Sequence, residues 1–591
     1  MINVNYSDYE LVQTTGGNLL DDVINIATLA DGEDTNPNNL TLQLDATGTL
    51  LEVLFDGDTT DGTPAVLLST QLYSSVNTVT VNGGTDDDTL TVNHANGVIN
   101  RELTYAGGGG AGTDNLVLTG DPGTLGAARE TYLVGATEDA GTWVIDPDDS
   151  MGPGANGAPG GDEMIVNFSG LEPVDTDTPA AIFDVIMTAV VNEATIQDGG
   201  TLGGANALQL TDGNSTFETT RFANKTMVRI MGQEGSDELD VDFTTASAGL
   251  TTLEVYGHVA TDVVGQPADD DVTDFLGLFS TDAITTNVLG QGGSDLIYSS
   301  TVTNTLDNLQ GTINVTGGET VADRDILFLG ASGDATADNA TLTSTRLSGA
   351  APATINYSEI EAFSYEATAD NDTVDVLTTA VGTEYGVAGG SGDDTITIGN
   401  QTVDFNTVFD GSLDGILGEI GVTGEFDGST AGTDTLNIDD SGTANLNAAA
   451  SVNTQTARVF ELLPSLGNIV GDATVLSGFA PAEIGYYHGA FAIGATPVAN
   501  NALEFVNVIT STGDDTVAVN ATTATTTTTI DLFTGNDANT LTINGDGLSG
   551  DNLFSGNTGT DNIVLNVTTN LGNTSVTDLT GLTIEGNDPN G

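Results

Sequence analysis

The chain contains no cysteine, so neither disulfides nor thiolate metal sites hold it together. Cations are nearly as scarce: 591 residues include one lysine, Lys225, and seven arginines against 85 acidic side chains, a formal charge of -77. Phosphate backbones are bound by Lys and Arg, so this charge excludes nucleic acid as a partner and makes anionic membrane surfaces repulsive. Long apolar runs are missing too. The longest, Ala181 to Val191, is interrupted by Asp184 and falls far short of the ~20 residues that cross a bilayer, so no membrane insertion is expected. The opening MINVNYSDYELVQ has neither a basic nor an apolar signal region, and no signal peptide is expected in it. Helical periodicity is almost absent, with Gly411 to Ile420 the one stretch read as a helical turn or two.

What the chain does have is glycine, 76 residues of it, and a 38% hydrophobic content that is too high for a disordered polyanion. The two occur together in a recurring pattern. VNGGTDDDTLTV ends at Val92, MGQEGSDELDV at Val241, LGQGGSDLIY at Tyr298, AGGSGDDTITI at Ile398, STAGTDTLNI at Ile438, STGDDTVAV at Val519 and SGNTGTDNIVL at Leu565. Each is a glycine turn, one or two acids, then alternating apolar and polar residues, the period-2 signature of a strand. The central acid recurs after 26 residues from Asp88 to Asp114 and after 24 from Asp537 to Asp561, with longer intervals, such as 40 from Asp394 to Asp434, where the motif is missing. Two dozen residues suit one coil of a parallel β-solenoid with two or three short strands, and are too few for a propeller blade of about 40. The threonine tract Ala521 to Ile530 reads as one such coil. The expected class is therefore all-β, a parallel β-solenoid, with consecutive β-sandwich domains as the alternative because Greek-key strands alternate in the same way.

A coarser repeat overlies the coils. NFSGLEPV (167–174), NYSEIEAF (356–363) and ALEFVNVI (502–509) read as the same closing strand. They divide the chain into expected units 1–172, 173–360, 361–506 and a partial 507–591.

The acids at the turns are candidate metal ligands: Asp86, Asp87, Asp88, Asp114, Asp237, Asp269, Asp270, Asp271, Asp295, Asp393, Asp394, Asp434 and Asp561. Calcium takes six to eight oxygens, which carboxylates and the carbonyls of glycine turns supply, and adjacent acids repel unless a cation lies between them. The competing reading is turn chemistry alone, with Gly for positive φ and Asp for side-chain to backbone hydrogen bonds, the acids otherwise holding hydration and salt. Gly109, Gly110, Gly112, Asp114 and Leu116 fill the fixed positions of G-G-x-G-x-D-x-(apolar)-x, as do Gly389, Gly390, Gly392, Asp394 and Ile396; Asp237, Asp295 and Asp561 lie in looser matches that lose the second glycine. In these positions the chain resembles the RTX, or haemolysin-type, calcium-binding repeat family. The resemblance implies a parallel β-roll in which turn carbonyls and Asp carboxylates hold calcium, but the family's nonapeptides run in tandem, whereas these stand singly. The wider pattern is similar to repeat regions of very large bacterial surface proteins of the planctomycete and cyanobacterial type, which implies an extracellular, cell-surface location. Gly586, Asn587 and Asp588 look like the opening of a further repeat.

No nucleophile elbow, zinc-protease motif or phosphate loop is present, and the three histidines, His94, His258 and His488, are isolated. The only basic cluster, Arg221, Lys225 and Arg229, has strand spacing that places all three on one face, where a polysaccharide lyase would hold its base. Offsetting neighbouring carboxylates is the preferred reading of that cluster. Trp143 and the aromatic group Phe479, Tyr486, Tyr487 and Phe491 with His488 read as core packing rather than as a glycan platform. The expectation is a non-enzymatic, secreted structural protein, self-associating into a filament, S-layer or adhesin stalk and stabilised by calcium. A polysaccharide-binding or polysaccharide-degrading β-helix is the alternative, with glycans as partners.

Overall fold

Alternation decides the local structure. The strand Asp88–Asn93 buries Asp88, Leu90 and Val92 while its threonines stand between them, and Leu50–Asp56 buries Leu51, Val53 and Phe55 in the same way. Successive side chains of a strand point to opposite faces, and β-branched residues suit that surface. The computed structural model describes residues 20–26, 37–56, 64–108, 113–121, 129–148, 163–260, 272–299, 305–318, 323–399, 410–424, 432–443, 449–460, 469–493, 496–498, 503–532, 538–544, 547–556, 561–566, 573–577 and 583–586. Strand accounts for 55% of it and helix for about 1%, so the fold is all-β. The helical turn expected in 411–420 is instead an irregular turn bridged to Thr379 at Ile416. Gly411, Gly415 and Gly418 each cost a helix about 1 kcal/mol there.

Two compact units are present, Met1–Gly293 and Ser294–Gly591, and within each the strands form two sheets built mainly by parallel pairing. In the first unit, Val76–Asn82 and Glu102–Ala106 lie in one sheet and Asp88–Asn93 and Asn115–Thr119 in the other, so each coil carries two strands. Thr78 pairs with Glu102 and Thr89 with Asn115, which sets coils of 24 and 26 residues. In the second unit Thr373 pairs with Thr395 and Thr540 with Asn562, coils of 22 residues. The interval of 40 after Asp394 is a single long coil, because Thr395 pairs directly with Thr435. The threonine tract supplies Thr527–Asp531, paired between Phe505–Ile509 and Asp551–Ser555. Parallel ladders of this kind define a solenoid-like repeat rather than Greek-key sandwiches, whose strands pair antiparallel.

Five antiparallel meanders interrupt the described coils, each of three strands, the third strand of the fifth being prolonged by a hairpin to Thr496–Val498. In the first unit they are Asn38–Leu44, Leu50–Asp56, Val66–Leu72; then Arg129–Val134, Ala140–Asp146, Met164–Ser169; then Glu193–Leu202, Ala205–Asp212, Thr220–Phe222. In the second they are Asn339–Thr343, Arg346–Ser348, Thr354–Ser358 and Ala450–Phe460, Ile469–Ser477, Ile484–Ile493. Each has its first strand beside the following coil, as Arg129–Val134 lies beside Ala180–Ile186. In four of them the last strand lies beside the preceding coil, as Met164–Ser169 lies beside Glu102–Ala106.

The interior of the first unit holds an aromatic stack that passes from one sheet to the other. Tyr132 stacks on Trp143 at 5.3 Å, Trp143 on Phe183 at 5.2 Å, and Phe183 meets Phe222 at 5.2 Å. In the second unit Tyr357, Phe363 and Tyr385 form a similar series. Trp143, Tyr486 and Tyr487 are all buried, in keeping with their reading as core. Phe183→Ala removes the ring at the centre of the first stack and is expected to destabilise its unit by about 3–5 kcal/mol. Trp143, the only tryptophan, reports the change: its fluorescence transition in denaturant should shift to a lower midpoint.

Candidate functional site

The glycine–aspartate turns owe their composition to one steric arrangement. The central acid stands at or directly before the start of a strand and is buried, as at Asp88, Asp237, Asp394 and Asp561, and its carboxylate folds back over the glycine five residues earlier. A Cβ on Gly232 would lie 2.3 Å from Asp237 Oδ2, and one on Gly389 would lie 2.7 Å from Asp394 Oδ2. The next position needs a left-handed backbone, φ 92° at Gly390. Where that second glycine is lost, glutamine adopts the same conformation, φ 98° at Gln233 and 77° at Gln291. Such strain costs a side-chain-bearing residue about 1–2 kcal/mol. Both glutamines offset it with bonds to a neighbouring coil: Gln233 donates to Met187 O, while Gln291 accepts from His258 N at 3.0 Å and donates to Val259 O at 2.7 Å.

Between coils the acids form a reciprocal clamp. Asp88 N donates to Asp114 Oδ1 at 2.9 Å, and Thr113 N donates back to Asp87 Oδ1 at 2.8 Å. The same exchange joins Asp372 to Asp394 at 2.8 Å with Asp393 N returning to Asn371 at 2.9 Å, and Asp515 to Asn539 at 2.8 Å with Ala538 N returning to Asp514 at 2.7 Å. At Asp295 and Asp325 a serine, Ser294, takes the return bond from Arg324 N. The longest run continues from Asp338 through Asp372, Asp394 and Asp434, each amide bonded to the next acid, and ends on Glu504, which accepts from Asp434 N at 2.7 Å. Glu361 ends the run from Asp295 and Asp325 in the same way, at 2.8 Å. The coarse closing repeat is thus a buried apolar residue, Leu171, Ile360 or Leu503, followed by Glu172, Glu361 or Glu504, whose amide donates to the last aspartate's carbonyl.

Burial raises the affinity of these carboxyls for protons. It pushes Asp88 up to about 7, with Asp86 and Asp114 adding repulsion, and Asp114 up to about 6. Asp325 and Asp338 rise to about 7 for the same first cause, and Asp372 is raised.

Of the residues nominated as metal ligands, Asp88, Asp114, Asp237, Asp295, Asp394, Asp434 and Asp561 are buried at strand starts, and the first six of them bond to amides or donate their own across a clamp. Asp86 bonds the Asn38 amide group at 3.0 Å; Asp87 and Asp393 sit on exposed turns. Asp269, Asp270 and Asp271 lie outside the described residues, as does Asp537, whose expected place in the repeat is held by Asn539. Among the described residues no three acidic or histidine side chains come together as a metal site. Sequence reasoning missed Asn192, Asp325, Asp338, Asp372, Asn539 and the closing glutamates as members of the clamps. The available signal was position, the residue directly before a buried strand.

The basic cluster does not share a face. Asn224, at φ 60°, turns the chain between Arg221 in Thr220–Phe222 and Lys225 in Lys225–Met231, which belong to different sheets. Arg221 forks onto Asp175, and Arg229 joins Arg129 on the buried Asp184, with its Nε 2.7 Å from Oδ1. Lys225 is fully buried with its Nζ 2.7 Å from Glu130 Oε2. Compared with known proteins, the chain matches no family model, and no curated protein matches it significantly.

Two outcomes follow from the clamp. Asp114→Ala strands the buried Asp88 amide and should cost about 1–3 kcal/mol in chemical denaturation, whereas Asp114→Asn, which keeps an acceptor as Asn539 does, should cost less. An acid whose folded pKa lies above its unfolded value holds more protons folded than unfolded between the two, so stability falls as pH rises through that window. For these carboxyls the window runs from the ordinary 3.8 to about 7. His94, held down near 4 by burial and Lys225, and His488, also lowered by burial, oppose the trend, but they are outnumbered. The melting midpoint in chelator at fixed ionic strength should therefore rise as pH is lowered from about 8 to about 5.

Proposed function

We propose that this is an extracellular structural protein, a solenoid element of a surface layer, filament or adhesin stalk. The observation that carries the reading is the reciprocal clamp: acids from the group that dominates the charge are used, coil after coil, to hold one coil to the next. Repetition of one cohesive contact is what a mechanical element requires, and the resemblance to bacterial surface repeats agrees with it. Calcium enters this reading as a neutraliser. Among the described residues, some clamps leave an exposed carboxylate at the turn, such as Asp87, Asp393 and Asp514, too few in one place for a closed cage of six to eight oxygens. Rows of such carboxylates attract divalent ions and repel one another without them.

Self-association is supported by the first meander. In the other four, the last strand has the preceding coil beside it; here that strand is Val66–Leu72, and among the described residues it pairs only with Leu50–Asp56. All seven of its residues are uncharged and none is buried, with Val66 64% and Leu72 57% exposed. In a chain of charge -77 an uncharged edge is where a second copy meets least repulsion, and an edge strand with no further partner among the described residues can accept one. A polysaccharide-degrading alternative built on Lys225 lacks its base, since that amine is out of reach of any substrate.

Electron microscopy of the purified chain tests the proposal. Filaments or sheets in calcium, dispersing in chelator at matched ionic strength and lost in Leu67→Glu, are the expected result. Particles that stay single in both conditions at high concentration would overturn the assembly reading.

A further inference from the structure

We propose that Lys225 and Glu130 condense to an intramolecular amide, a covalent cross-link between strands 95 residues apart in the chain. Glu130 lies in Arg129–Val134 and Lys225 opens Lys225–Met231; the strand Ala180–Ile186 pairs with both, so the link spans three neighbouring strands of one sheet. Opposite Lys225 the middle strand presents only Ala180, which leaves the long side chain room to cross.

The reacting groups are already placed. Lys225 Nζ is 2.7 Å from Glu130 Oε2 and 3.1 Å from Thr176 Oγ1, and it also donates to the Thr178 carbonyl. Thr176 Oγ1 is in turn 3.1 Å from Glu130 Oε2. Lys225, Glu130, Thr176 and Thr178 are all 0% exposed, and the Phe183 ring lies 5.6 Å from Nζ. Two ions in such surroundings are costly, and passing one proton from Nζ to the carboxylate leaves a neutral amine against a neutral acid. Burial lowers the proton affinity of this amine, in the direction that favours the nucleophile. The amine lone pair then attacks Glu130 Cδ, forming the N–C bond. Thr176 takes the second amine proton as it gives its own to the departing oxygen, the C–O bond breaks, and one water leaves. No oxidant, metal or further reactant is needed, and fixed contact replaces the encounter that makes such condensations slow in water.

The neighbouring cations do not offer this chemistry: the guanidinium groups of Arg129, Arg221 and Arg229 stay protonated and pair with carboxylates as ions. The one amine side chain in the sequence is the one that is sealed in. In a chain without cysteine, the link would serve where a disulfide is absent, closing a long loop of the unfolded chain.

The test needs no variant to fold. Intact-mass spectrometry of the denatured full-length chain should give a mass lower than the sequence by one water. Amine-reactive labelling after denaturation should then modify the N-terminus and leave Lys225 untouched, and digestion should yield one branched peptide containing both residues. Lys225→Arg should restore the full sequence mass. A wild-type chain at full sequence mass, with Lys225 labelled once unfolded, would overturn the proposal and leave a buried ion pair.

Discussion

Every strand of a solenoid begins where the chain has just turned a corner, and the amide at that point must find an acceptor or be buried without one. A buried, unbonded amide costs enough that structures almost never contain it. Here an aspartate, asparagine or glutamate from the adjoining coil supplies the acceptor, and in the reciprocal clamps the residue before that acceptor donates its own amide in return. The remaining features of the turn follow from that contact. A carboxylate folded over the corner leaves no space for a Cβ, hence the first glycine; the sharp reversal after it needs a left-handed residue, hence the second, or a glutamine anchored to a neighbouring coil.

Five of the eight cations obey a related logic. Arg129, Arg221, Lys225 and Arg229 lie in or beside the two later meanders of the first unit, and Arg458, in a meander of the second, pairs with Glu419 and Glu483. Antiparallel inserts are where pairing changes direction, and a slip of one residue would turn every buried side chain outward. An ion pair whose partners sit at fixed positions on other strands opposes that slip, which is a use for scarce positive charge that a uniformly acidic surface cannot provide.

The strands and their turns were legible in the sequence because alternation and glycine are local signals. Asp88, Asp114 and Asp394 stood out for the same reason. What they touch was not legible, since each clamp joins residues that are 22 to 70 apart and the partner's identity varies among Asp, Asn and Glu. Asn539 and Glu504 do the work of aspartates without looking like them. The meanders were hidden because antiparallel and parallel strands alternate alike, and the basic cluster was misplaced because a single left-handed residue, Asn224, moves the chain from one sheet to the other.

The reversed order of the meanders also bears on how the molecule is made. Chains leave the ribosome from the N-terminus, and a simple solenoid can add each new coil to the last. A meander forbids this. When Arg129–Val134 emerges, the place next to Glu102–Ala106 belongs to Met164–Ser169, which has not yet been synthesised. Growth of the sheet must wait for the third strand to return and fill the gap, so the nascent chain folds in blocks separated by meanders, each block set by a contact between distant parts of the sequence.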